Sequence, residues 1–70
     1  MPKFEVAIFN REVRAKVREG DHHRDLDDRW ADTHYITVTA DDEIAARTSA
    51  ESRYPPDRGY VIEAVDPALD

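Results

Sequence analysis

Apolar and polar positions alternate over Lys3-Phe4-Glu5-Val6-Ala7-Ile8-Phe9, so Phe4, Val6 and Ile8 share one face. A period of two is what a half-buried strand requires. From Asn10 to Gly20 two periods compete. On a helix, Val13 and Val17 stack at i,i+4, Asn10 is a good N-cap and Gly20 sits where a helix stops. On a strand, Val13, Ala15 and Val17 alternate instead, and a turn at Asn10-Arg11 pairs Phe4 with Val17, Val6 with Ala15 and Ile8 with Val13. That turn lacks the glycine that a positive φ favours. Both ends carry helix signals and the residues between are strong helix formers. The helix is the favoured reading, and a β-hairpin over 3–18 is its alternative.

Asp21 to Thr33 is polar and rich in His and Asp. It reads as a long loop, with one helical turn bringing Leu26 and Trp30 together at i,i+4. Such a length is unusual for a connection in a compact domain, and the single Trp is expected to pin it to the core. His34 to Ala40 is the clearest strand, with Ile36 and Val38 inward and Tyr35, Thr37 and Thr39 outward. Asp41 then serves as an N-cap, with Asp42 and Glu43 in the positive first turn of a helix that runs to Arg53. This helix is weakly amphipathic. Ile44, Ala45 and Thr48 point one way; Ala46, Ala50 and Tyr54 point nearly the opposite way. Tyr54-Pro55-Pro56 ends it, Asp57-Arg58-Gly59 turns the chain, and Tyr60 to Val65 forms the last strand before Pro67.

The order is β-α-loop-β-α-β; with the hairpin alternative it becomes β-β-loop-β-α-β. Either order predicts an α/β (α+β) fold: a small three-stranded sheet with two helices on one face, in a single domain spanning 1–70. If the last strand lies beside the middle one, the crossover is parallel and right-handed. If the first strand lies between them, a mixed sheet is expected.

Composition narrows the function classes. Nine of the 28 hydrophobic residues are Ala, which leaves 19 larger apolar side chains for one thin core. An enclosed catalytic cavity beside that core is hard to fit, and self-association is a plausible source of extra stability. With no Cys, disulfides, Cys-ligated zinc, iron–sulfur clusters and thiol nucleophiles are excluded together. No apolar run approaches a membrane span and no signal-peptide core follows Met1, so a cytoplasmic location is expected. Net charge is −6, but residues 1–20 carry +2 and residues 21–70 carry −8. The acidic total opposes nonspecific binding to nucleic acid or anionic lipid. Arg outnumbers Lys eight to two and Asp outnumbers Glu ten to six, a bias that fits a GC-rich, bacterial coding sequence.

Three features carry candidate chemistry. His22, His23, Asp25 and His34 offer imidazole and carboxylate groups that suit a divalent metal. Their spacing is unhelpful: adjacent His side chains point apart, and the calcium-loop reading from Asp25 fails at Trp30 and Ile36. A solvated loop with His and Asp paired to Arg24 and Arg29 is the simpler account. Arg11, Arg14 and Arg18 form a basic stripe on the helix, able to grip an acidic protein surface or a phosphate backbone. Tyr54 and Tyr60 flank the Pro-Pro-Asp-Arg-Gly turn, and with Tyr35 they are residues that interfaces favour.

Catalysis finds little support. Ser49 and Ser52 lie inside a helix, and the two glycines, Gly20 and Gly59, are isolated, so no phosphate-cradling loop exists. The expectation is a small protein-binding or adaptor module without a cofactor, with a homodimer as one form it can take. Its contact residues would be Arg11, Arg14, Arg18, Tyr54 and Tyr60. A metal-binding protein or metal-dependent enzyme on the 21–34 loop is the rival reading. Nucleic-acid contact through the Arg stripe is a weaker one.

Overall fold

The computed structural model describes residues 2–68. Three strands, β1 (Lys3–Asn10), β2 (His34–Thr39) and β3 (Tyr60–Pro67), form one sheet in the order β2-β1-β3. Two helices, α1 (Arg11–Arg18) and α2 (Glu43–Arg53), complete an α+β fold, with 3-10 turns at Asp28–Ala31 and Pro56–Arg58. The first strand does lie between the other two, but the sheet is not mixed. Both neighbours run antiparallel to β1. α2 carries the chain back to the end where β2 began, so β3 runs parallel to β2. Because β3 lands beyond β1, no parallel pair is in contact.

β1 takes the centre and is the most buried of the three strands. Val6 and Ile8 are fully buried, opposite Ile36 and His34 on one side and Val65 and Ile62 on the other. Phe4, Val6, Ile8, Val38, Ala40 and Val65 form the core, closed by Ala46 and Ala50 of α2. The lack of bulk at these two alanines lets α2 lie close on the sheet. Tyr54 packs against the core on the same side, whereas Ile44 points to solvent at 78% exposure. The cap of α2 is Asp42, not Asp41: its carboxylate accepts from the Ala45 N–H at 2.8 Å.

β1 passes directly into α1. The molecule's longest dimension is 41 Å. The helical reading of 10–20 holds because Asn10 caps it. Its Oδ1 accepts from the N–H groups of Glu12 (3.0 Å) and Val13 (3.2 Å). α1 packs mainly on the 3-10 turn at Asp28–Ala31, and that turn is where the loop differs from expectation. Asp27 caps it by accepting from the Arg29 N–H, so the turn begins after Leu26. Leu26 and Trp30 therefore do not share a helical face; Trp30 packs on the core and Leu26 lines a surface cleft.

β3 continues through Pro67, past the expected stop at Val65. Between Ala7 and Ile8 its register slips, because Ala64 and Ile62 pair there and Glu63 is the extra residue of a bulge. Among the described residues no helix is long and apolar enough to cross a membrane.

Candidate functional site

The site is built on the corner where β1 ends and β3 begins. The Arg11 N–H donates to the Gly59 carbonyl at 2.8 Å, and Asn10 Nδ2 donates to the Arg58 carbonyl at 3.1 Å. Asn10 is fully buried, so one side chain caps α1 and ties it to the turn before β3. Gly59 permits the close approach through its positive φ of 94°.

Over this corner lies a half-open cleft of about 630 Å³. One wall is Glu12 from α1 with His23, Asp25 and Leu26 from the loop; the other is Arg53, Pro55, Asp57, Arg58 and Tyr60. His23 joins the loop wall to α1. Its Nε2 lies 3.2 Å from Glu12 Oε1, and its Nδ1 accepts from the Asp25 N–H at 3.1 Å. An Nδ1 that accepts leaves the ring hydrogen on Nε2, directed at the Glu12 carboxylate. The other ion pairs among the described residues are His22–Asp28 and Arg29–Asp27. Arg53, Arg58, Asp25 and Asp57 line the cleft and are in none of these pairs among the described residues.

Tyr60 connects the cleft to the core. Its ring meets Trp30 edge-on at 5.2 Å and Tyr54 at 5.3 Å, while Trp30 stacks on His34 at 4.5 Å. Burial pushes the Tyr60 hydroxyl above the usual tyrosine range, with the neighbouring Tyr54 adding to the effect.

The sequence-derived candidates are distributed unevenly. Tyr60 lines the cleft, and Tyr54 stands behind it in the aromatic cluster. Arg14 leaves the basic stripe: its Nε donates to the Ala31 carbonyl at 2.8 Å and its guanidinium covers the Phe9 ring at 3.6 Å. Arg11 and Arg18 remain exposed. His23 and Asp25 meet in the cleft. His22 instead pairs with Asp28 at 2.8 Å, which raises its pKa above the ordinary histidine value. His34 donates from Nε2 to the Arg29 carbonyl at 2.7 Å, beneath Trp30. No three His, Asp or Glu side chains gather in a geometry fit for a metal ion among the described residues.

Arg53, Arg58, Glu12, Leu26, Pro55 and Asp57 join the site without having been singled out in the sequence. Arg58 and Asp57 had a signal, since they lie in the turn flanked by Tyr54 and Tyr60. Glu12 and Leu26 had none, because loop and turn meet only once the sheet is assembled. The chain matches no known family model, curated protein or solved structure.

Proposed function

We propose that the protein is a small binding module, and that a segment of a partner protein enters the cleft beside Tyr60. One observation carries the reading: Arg53 and Arg58 line a concave surface with no carboxylate partner among the described residues. A guanidinium presents a planar fork of donors that suits a carboxylate, so each of the two can hold an acidic side chain. Leu26, Pro55 and the Tyr60 ring supply apolar contact beside them. The segment that fits best carries an acidic residue next to an apolar one, with Asp25 and Asp57 available to a basic neighbour. The Arg-over-Lys and Asp-over-Glu bias supports a bacterial source.

The test is affinity capture from native lysate with crosslinking and mass spectrometry, using the wild type, R53E/R58E and R11E/R18E. The expected result is a stoichiometric partner held by the wild type and by R11E/R18E and lost from R53E/R58E. A partner that survives R53E/R58E, or that R11E/R18E releases, overturns the cleft as the contact surface. Absence of any partner overturns the binding-module reading itself.

A further inference from the structure

The two outer edges of the sheet differ in how they treat an incoming strand. Hydrogen bonding alternates along an antiparallel ladder, so the bonds at its ends fix which residues face outward. The Ala40 N–H donates to the Pro2 carbonyl at 3.1 Å, one step beyond the Lys3–Thr39 pair. Val38, Ile36 and His34 therefore spend their backbone groups on β1, and Tyr35, Thr37 and Thr39 aim theirs away from the sheet. On the other side the Ala68 N–H donates to the Lys3 carbonyl at 2.9 Å, one step beyond the Phe4–Pro67 pair. That places Pro67 outward, where it offers no N–H. The β3 edge is further broken by the bulge at Glu63 and carries the charges of Glu63 and Asp66. Proline, bulges and charge are the devices that protect an edge strand, and β3 has all three.

β2 has none of them. Its six residues, His-Tyr-Ile-Thr-Val-Thr, contain no Pro, no Lys and no acidic group, and its register with β1 is unbroken. Tyr35 is 67% exposed, and Ile36 stays half-buried although it faces the core side. We infer that β2 pairs with β2 of a second copy of this chain, antiparallel about a two-fold axis through Thr37, to make one six-stranded sheet.

The occupant follows from the strand's self-complementarity. An antiparallel partner must place like faces opposite each other and bond through the outward residues. Centring on Thr37 meets both conditions. Thr37 faces its own copy, Tyr35 faces Thr39, and on the core side Ile36 faces Val38. Thr–Thr, aromatic–Thr and β-branched apolar pairs are favourable across strands. Three outward residues on each chain exchange backbone bonds, and a chain of net charge −6 meets its copy along a strand with no acidic residue. A two-fold contact closes after two chains, because β3 at the far edge is blocked.

The dimensions agree. A compact chain of this length has a radius of gyration of about 11 Å, against 13.0 Å here. The accessible surface of 4959 Å² exceeds the roughly 4,500 Å² expected for a compact monomer of this mass. The molecule is a ribbon of 41 × 22 × 15 Å, and pairing across β2 widens its narrow sheet. The cleft borders β3, on the opposite edge, and stays open in the pair.

Sedimentation equilibrium on the wild type, T37K and R53E/R58E tests the inference. The wild type and R53E/R58E are expected at twice the 8.1 kDa chain mass, and T37K, which sets Lys against Lys on the axis, at one chain with its far-UV circular dichroism unchanged. The chain has no Cys, so T37C adds a single thiol. Directly opposed residues sit about 4.5–5.5 Å apart at Cβ, within reach of a short bifunctional thiol reagent. T37C is expected to crosslink into a dimer and E63C to remain single. A one-chain mass for the wild type at every concentration overturns the pairing, as does a dimer that tolerates T37K or an assembly larger than two. Crosslinking at E63C instead of T37C would place the contact on β3 and overturn it too. R53E/R58E losing the partner while staying dimeric separates this result from the cleft reading.

Discussion

A Cβ added to Gly59 would stand 2.8 Å from Asn10 Oδ1 and 2.8 Å from Glu12 Cγ. The same Asn10 oxygen caps α1, so one contact holds helix, turn and cleft wall in place. Gly59→Ala meets both the clash and an unfavourable positive φ. Gly20 has a similar φ of 78° but open space around it. Gly20→Ala is expected to cost about 1 kcal/mol and Gly59→Ala clearly more, roughly 2–4 kcal/mol, read from urea midpoints at constant m.

Asn10→Ala removes an N-cap and also the donor to the Arg58 carbonyl. Cap loss is worth about 0.5–2 kcal/mol, and stranding the N–H and carbonyl groups adds about 1–3 kcal/mol. Denaturation should show a loss near 2–4 kcal/mol. A loss below about 0.5 kcal/mol would mean that α1 does not depend on this corner.

α2 lies on the sheet through Ala46 and Ala50, both fully buried. Ala50→Leu forces extra volume into that contact and should destabilise by about 1–3 kcal/mol. Ile44→Lys, on the solvent side, should stay within about 0.5 kcal/mol of the wild type. Thermal melts of the two variants check the assignment of faces.

His22 gains a hydrogen bond and a charge partner in Asp28, which raise its pKa above 6.5. The folded state therefore holds the proton more tightly than the unfolded chain. The stabilisation is fully present below about pH 6.5 and is lost as pH rises through the raised value. Because the pair is exposed, the change in stability is small, and the sharper readout is the ring's NMR titration. Asp28→Asn should lower the His22 titration toward the ordinary value.

Much of the fold was legible because its signals are local. The strand at 3–9, the Asn10 cap, the Pro-Pro stop after Tyr54 and the weak faces of α2 each depend on residues a few positions apart. The site was less legible. Arg14 fits the basic stripe by spacing, yet tertiary contact gives it the Ala31 carbonyl and the Phe9 ring as partners. His22, His23 and His34 are close in sequence, but they face Asp28, Glu12 and the Arg29 carbonyl in turn.

The sequence by itself determined the strands at 3–9, 34–40 and 60–65, the helix ending at Arg53 and the side chains available for a core, since periodicity and capping act over one turn or one pleat; for 10–20 it left helix and hairpin in competition. Only the tertiary structure decided the rest. Assembly put β1 in the centre, and that placement left β2 and β3 as edges. The same assembly brought the 21–27 loop against the Pro-Asp-Arg-Gly turn, about thirty positions away in the chain. The cleft and the open edge of β2 exist only because of contacts at that range.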